Sequence, residues 1–173
     1  TEPDHAGSIE KLIKLNPNLT IIASAVAIRY LRNIVNIDFK SQAVKMNDEL
    51  DLGGRTLKFI SAPNLHWPDT MFTYVRESKF LFTCDFTGCH YCPDGTVLDV
   101  GGDDYVTEMK YYFDCIMGPF KPFVLKALDK IKDLDIEMIG TSHGPIHKGE
   151  DVKKYLELYR EWATEEPIDS KKV

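Results

Sequence analysis

Six side chains of the kinds that bind metal ions stand in four separate segments of the chain. They are three carboxylates and three imidazoles: Glu2, Asp4, His5, His66, Asp85 and His143. Such a mixture suits a first-row transition metal better than Mg²⁺ or Ca²⁺, and six ligands exceed what one tetrahedral zinc ion uses. The set therefore predicts two metal ions, and a carboxylate such as Asp85 could bridge them by giving one oxygen to each ion.

The elements that must position these side chains are short and of mixed type. Turn residues and β-branched runs predict a hairpin turn at Gly53-Gly54 and strands over 42–44, 49–52, 56–61, 70–75, 80–84 and 136–140. Helical spacing predicts a strand followed by a helix over 18–31, and helices over 8–16, 104–116, 122–134 and 151–162. Ser8 could cap the first helix. His66, Asp85 and His143 then fall in loops next to strands, where a layered α/β fold usually presents a site.

The composition is that of one globular domain, with 173 residues, 43% of them hydrophobic and 28% charged. A formal charge of −6 argues against nucleic acid or an anionic membrane as the main partner. The longest strongly apolar run, 21–28, is far shorter than the roughly 20 residues that a bilayer requires, so no transmembrane segment is predicted. Four cysteines are too few for a disulfide scaffold and suit a reducing, cytoplasmic compartment.

Four motifs of this chain resemble the diiron-binding segments of flavodiiron proteins in sequence, order and spacing. They are EPDHAGSI at 2–9, LHWPDTM at 65–71, LFTCDFTG at 81–88 and SHGP at 142–145. The resemblance implies an α/β fold, the metallo-β-lactamase-like αββα sandwich. It also implies an H-x-E-x-D-H motif in place of the H-x-H-x-D-H motif of the zinc hydrolases with this fold. Glu2 is the residue that discriminates between the two motifs.

The resemblance also implies a role for each candidate ligand in a non-haem diiron centre. It assigns Glu2 and His66 to one iron and Asp4, His5 and His143 to the other. Asp85 is the bridge between the two irons. The first His of the motif would immediately precede Thr1. We therefore expect a sandwich that is incomplete at the N-terminus, with its opening strands missing. Either another chain supplies that segment or the site is incomplete.

Further expectations about organisation and activity follow from the same resemblance. Residues 1–164 would form the diiron domain, and 165–173 would be a linker toward an absent flavodoxin-like FMN domain. Intact members of the family reduce dioxygen to water or nitric oxide to nitrous oxide, with electrons from FMN. We expect O₂ or NO as substrate, a rubredoxin-like or flavin-reductase electron donor, and a head-to-tail homodimer when the protein is intact. The isolated fragment would be inactive and, because its sheet edges are exposed, would oligomerise or exchange strands.

Two other functions stay open from the sequence. A zinc-dependent hydrolase of the same fold would use a bridging hydroxide on an ester or amide, although Glu2 weighs against this reading. A metal-free, non-catalytic fragment is the second alternative. It is favoured by the missing first His and the missing flavin domain.

Several neighbouring residues have simpler interpretations beside a functional one. His147 is a rival to His143 as a ligand, and the C-x-x-C pair Cys89 and Cys92 is best explained as structural thiols. Tyr111 and Tyr112 are most simply core or interface aromatics. The family resemblance suggests that one of the two tyrosines faces the substrate pocket.

Overall fold

Two β-sheets lie between two groups of helices in the computed structural model, which describes residues 1–95 and 103–164. The order of layers is helices, sheet, sheet, helices, and the fold is the α/β metallo-β-lactamase-like sandwich that the motifs predict. Ser24 and Val44 of the first sheet and Phe59, Ser61 and Met71 of the second line one cavity of about 260 Å³ between the sheets. The predicted linker, 165–173, lies outside the described residues.

Residues 3–44 form the first helical layer and the first sheet. The elements of this segment are α1 (Pro3–Ala6), α2 (Ile9–Leu15), β1 (Thr20–Ser24), α3 (Ala25–Ile34) and β2 (Lys40–Val44). β1 and β2 pair in parallel, which requires a crossover, and α3 supplies it. Ala6, Ile13, Leu31 and Val35 form the buried core of this layer.

The second sheet has six strands in chain order. They are β3 (Glu49–Asp51), β4 (Thr56–Ser61), β5 (Met71–Val75), β6 (Phe80–Cys84), β7 (Met138–Thr141) and β8 (His147–Lys148). All neighbours pair antiparallel except β6 and β7, which are parallel. Strands β4, β6 and β7 therefore run in the same direction, and their carboxyl ends meet at one edge of the sheet.

Three helices cover the second sheet and form the larger core with it. They are α4 (Asp103–Tyr112), α5 (Lys121–Ile131) and α6 (Glu150–Thr164), with a π-helical turn at Phe113–Met117 and a 3₁₀ turn at Gly118–Phe120 between the first two. Along α6, Val152, Tyr155, Tyr159 and Trp162 are buried at helical spacing. They pack in one cluster with residues such as Leu81 of the sheet.

The elements agree with the sequence pattern except at several ends and at two short elements that were not predicted, the helix α1 and the strand β8. Ser8 makes no side-chain cap hydrogen bond, because it has helical backbone angles rather than the extended ones of a cap. The two-residue strand β8 was not predicted, since it is too short for any alternation of side chains to show. Within the described residues, none of the helices has the length and apolar content needed to cross a membrane.

Candidate metal centre

Three of the predicted ligands follow three strands that end at the same edge of the second sheet. His66 lies in the loop after β4, Asp85 directly follows β6, and His143 follows β7. Because these strands run in the same direction, their following loops are neighbours. The sheet thus brings together side chains that are 77 residues apart along the chain, from His66 to His143.

The other three ligands come from the first turn of α1, which faces this edge. Glu2 is the residue before the helix, with φ −56° and ψ 143°, and Pro3 occupies the first helical position, where its missing N–H is harmless. Asp4 and His5 then lie within the same turn. Such a short helix holds three ligands of one motif around a single turn of backbone.

Asp85 stands at the centre of the cluster. Its Oδ1 lies 3.1 Å from His5 Nε2 and 3.4 Å from His143 Nε2, whereas its Oδ2 lies 3.4 Å from His66 Nε2. The two oxygens of one carboxylate therefore face two different groups of imidazoles. This is the arrangement that a bridging carboxylate needs.

Two groups of ligand atoms converge on the two sides of Asp85. On one side, His143 Nε2 is 3.2 Å from Asp4 Oδ2 and 3.4 Å from His5 Nε2. On the other side, His66 Nε2 is 3.0 Å from Glu2 Oε2. Three sets have ligand atoms within 4.8 Å of one another: Asp4, His5 and His143; Glu2, His66 and Asp85; and His5, Cys84 and Asp85.

The electrostatics of the cluster suit a bound cation. Burial raises the pKa of the Asp85 carboxyl, while the imidazoles of His5, His143 and His66 lower it. Asp85 Oδ1 is fully buried and has no hydrogen-bond partner, although His5 Nε2 lies 3.1 Å away. An unsatisfied buried carboxylate oxygen is costly unless something positive approaches it. The residues present therefore fit a pair of transition-metal ions with nitrogen and oxygen ligands.

The two predicted pocket tyrosines differ in position. Tyr112 is 4% exposed, its ring lies 6.3 Å from that of His143, and burial together with the nearby Asp85 carboxylate raises its pKa. Tyr111 is 67% exposed. The structure thus brings Tyr112, and not Tyr111, to the cluster.

His90 is a neighbour of the cluster that sequence reasoning did not single out. Its exposed ring packs edge-on against Tyr112, at 4.9 Å, and against His143, at 5.2 Å. The C-x-x-C motif that contains His90 drew attention to the thiols instead. Cys89 and Cys92 are free in the structure, one buried and one exposed.

His147, the rival to His143, lies elsewhere. Its ring is fully buried, and Nε2 is 2.8 Å from the hydroxyl of Tyr105. Burial lowers the pKa of His147 to about 4, so the ring is neutral near neutral pH. The structure therefore places His147 in the core and His143 in the cluster.

Helices, two facing sheets and a ligand cluster at strand ends define a metallo-β-lactamase-like domain. Residues 1–144 match the family model described as "ODP family beta lactamase". The chain belongs to this family, and it is the diiron-domain type found in flavodiiron proteins.

Similar proteins include diflavin flavoproteins and flavodiiron proteins. The chain is 42% identical to a diflavin flavoprotein A 1 from Synechocystis, over 100% of this chain and 30% of that protein. It is 46% identical to the flavo-diiron protein FprA2 of Clostridium acetobutylicum, over 92% of this chain and 42% of that protein. Among solved structures, rubredoxin oxygen:oxidoreductase from Desulfovibrio gigas superimposes with a TM-score of 0.88 at 27% identity, covering 94% of this chain and 42% of that one. The chain thus spans less than half the length of these relatives.

Proposed function

We propose that this chain holds a non-haem diiron centre and belongs to an enzyme that reduces dioxygen to water, nitric oxide to nitrous oxide, or both. The proposed ligands are Glu2, Asp4, His5, His66, Asp85 and His143. One observation carries the proposal: the two oxygens of Asp85 face two separate sets of nitrogen and oxygen ligands. A single metal ion would not require a buried carboxylate with ligand atoms on both sides.

The residues of this chain would have different roles at the metal site. A bound pair of ferrous ions would supply electrons to a diatomic substrate. Carboxylates from α1 and the end of β6 would offset the positive charge of the metals, and imidazoles from three segments would help to hold each ion. Tyr112 is a neutral phenol whose pKa is raised further by burial, and its ring lies 6.3 Å from that of the proposed ligand His143.

Electron delivery and assembly are further parts of the proposal. The names of the relatives support flavin and rubredoxin as redox partners, since one is a diflavin flavoprotein and another a rubredoxin oxygen:oxidoreductase. We propose that electrons arrive through FMN, from a rubredoxin-like or flavin-reductase donor, and that the intact protein is a head-to-tail homodimer. All four cysteines are free, which supports a reducing, cytoplasmic location.

A zinc hydrolase of the same fold is the second candidate. Its zinc site would need a third imidazole where this chain has Glu2, whose Oε2 lies 3.0 Å from His66 Nε2. A carboxylate at that position makes the donor set harder, which favours iron over zinc. The third candidate, a metal-free scaffold, leaves the buried Asp85 Oδ1 without a partner.

A single-turnover experiment tests the proposed reaction with this chain alone, which we still expect to be inactive in repeated turnover because no FMN is present to re-reduce the irons. Anaerobic protein loaded with Fe(II) would be mixed with a small excess of NO or O₂, with N₂O measured by gas chromatography and O₂ by electrode. We expect N₂O formation or O₂ consumption by the wild type, and loss of both in Asp85→Asn, which keeps the shape of the side chain but not its charge. Ester or amide hydrolysis by the zinc-loaded chain, with no reaction of the iron-loaded chain, would support the hydrolase instead.

A further inference from the structure

The ring of His5 is held on both of its nitrogen atoms. Nε2 points into the ligand cluster, 3.1 Å from Asp85 Oδ1. Nδ1, on the opposite side of the ring, lies 3.3 Å from the Sγ of Cys84. The thiol of Cys84 therefore contacts the proposed ligand His5 on the side of the ring that faces away from the metal site.

This placement matters because a neutral imidazole can bind a metal only through the nitrogen that carries no proton. The other nitrogen then carries the proton and needs an acceptor, which orients the ring and selects the tautomer. Carboxylates and backbone carbonyls usually fill this role. Here the atom in position is a sulfur, which is a weak acceptor.

The backbone fixes Cys84 independently of any metal. The residue has φ +56°, a left-handed conformation that is uncommon for a residue with a side chain. The pairing of β6 with β7 is irregular between Phe82 and Cys84, and the N–H of Ser142 donates to the Cys84 carbonyl oxygen at 2.8 Å. This irregular strand end turns the thiol toward His5 and the next residue, Asp85, into the cluster.

We propose that Cys84 is a positioning residue for His5: its sulfur accepts a hydrogen bond from Nδ1–H and thereby leaves Nε2 free to bind a metal. The inference rests on the proposed role of His5 as a ligand. It assigns a function to a cysteine that the metal chemistry itself does not use.

The exchange of the His5 ring proton tests the hydrogen bond in protein loaded with Zn(II), a diamagnetic probe that would occupy Nε2 and leave the proton on Nδ1. Long-range ¹H–¹⁵N spectra identify this proton, and its exchange with water is then measured. We expect slow exchange in the wild type and in Cys84→Ser, whose hydroxyl oxygen also accepts, and much faster exchange in Cys84→Ala. Cys115→Ala, which removes an exposed thiol from the π-helical turn, is the matched control and should leave the exchange unchanged. Equal exchange in the wild type and Cys84→Ala would overturn the proposal.

Cobalt binding tests the consequence for the metal site. Titration with Co(II) should show about tenfold to a hundredfold weaker binding in Cys84→Ala, the usual effect of losing such a partner. Cys84→Ser should recover most of the affinity, and Cys115→Ala should match the wild type. Equal affinity in wild type and Cys84→Ala would count against the positioning role.

Two other results of the titration have distinct meanings. A thiolate-to-cobalt charge-transfer band that disappears in Cys84→Ser would make Cys84 a ligand itself and overturn the proposal. If the wild type binds cobalt and its zinc form shows a slowly exchanging Nδ1–H, but the protein retains no iron, the hydrogen bond is supported but the proposed diiron function fails. The two proposals can therefore fail separately.

Discussion

Asp85 is the residue around which the other five proposed ligands are arranged. Its carboxyl group is buried, and its two oxygens face ligands from α1, the β4–β5 loop and the loop after β7. In the metal-free chain this burial has a cost, since one oxygen has no hydrogen-bond partner. A site that is costly without its ligand and well matched to it is typical of function rather than of stability.

His147 provides a prediction at the same scale that is independent of any metal. Burial lowers its folded pKa to about 4, whereas an unfolded histidine has a pKa of about 6.5. Between these values the unfolded state binds more protons, so stability falls as the pH falls. From pH 7 to pH 5 the His147 contribution to the free energy of unfolding should drop by about 2 kcal/mol.

Urea unfolding at the two pH values measures this loss. His147→Gln removes the titrating group and can still offer an acceptor to the Tyr105 hydroxyl. The variant should therefore lose about 2 kcal/mol less than the wild type between pH 7 and pH 5, whatever the other histidines contribute. Equal losses in both proteins would show that His147 is not buried in its neutral form.

At the scale of elements, the site depends on three strands that end together and on the tight loops that follow. The loop after β7 contains Gly144 at φ +88°, directly after the proposed ligand His143. A Cβ at this glycine would lie 2.5 Å from the carbonyl oxygen of Cys89. Cys89 lies in the loop after β6, and a hydrogen bond joins this loop to the loop after β7. The Cys89 N–H donates to the His143 carbonyl oxygen at 3.1 Å.

Gly144→Ala should therefore disturb both stability and metal binding. The left-handed backbone costs about 1 kcal/mol for alanine, and the contact with Cys89 adds about 2 kcal/mol, for a total of about 3 kcal/mol. Urea unfolding gives the loss of stability, and Co(II) titration shows the displacement of His143 as weaker binding.

Gly53→Ala is the matched control for this substitution. Gly53 has φ +77° in the β3–β4 hairpin, and a Cβ there would meet nothing within 4 Å. Only the conformational cost of about 1 kcal/mol should appear, with metal binding unchanged. If both alanine variants lose the same stability, the close approach of the two site loops does not constrain Gly144.

The sequence predicted the elements better than the contacts between them. Strands β4 and β6 were predicted with the bounds the structure shows, because their β-branched and aromatic runs are bounded by turn residues. The grouping of the predicted ligands needed the family resemblance, since sequence spacing contains no distances. Neither the Cys84 contact with His5 nor the His90 contact with His143 could be predicted, because both depend on left-handed or irregular backbone at the end of β6 and on the loop that follows.

At the scale of the whole molecule, each of the two sheets forms its own hydrophobic core with the helices that cover it. One core belongs to α1–α3 and the first sheet, and the other to the second sheet and α4–α6. Within the described residues, the first sheet has only two strands, and Phe82 on the central strand β6 is 49% exposed. An exposed aromatic on a sheet and the unpaired edges of a two-stranded sheet both favour association between chains.

We therefore predict self-association of this chain. Light scattering across a dilution series should show an average mass that rises with protein concentration. Phe82→Ser should weaken the association, whereas Tyr111→Ser, which removes an aromatic that is 67% exposed on α4 rather than on a sheet, should not. A constant monomer mass for the wild type at every concentration would refute this expectation.

The most direct test of the central claim is the metal content of the purified protein. Elemental analysis would follow anaerobic purification, reconstitution with Fe(II) and desalting, for the wild type and Asp85→Asn in parallel. The bridging geometry of Asp85 predicts about two irons per chain in the wild type and a marked loss in the variant. Two results would contradict a diiron centre built on these six ligands. One is a wild type that retains stoichiometric zinc and no iron, and the other is a wild type that retains no metal.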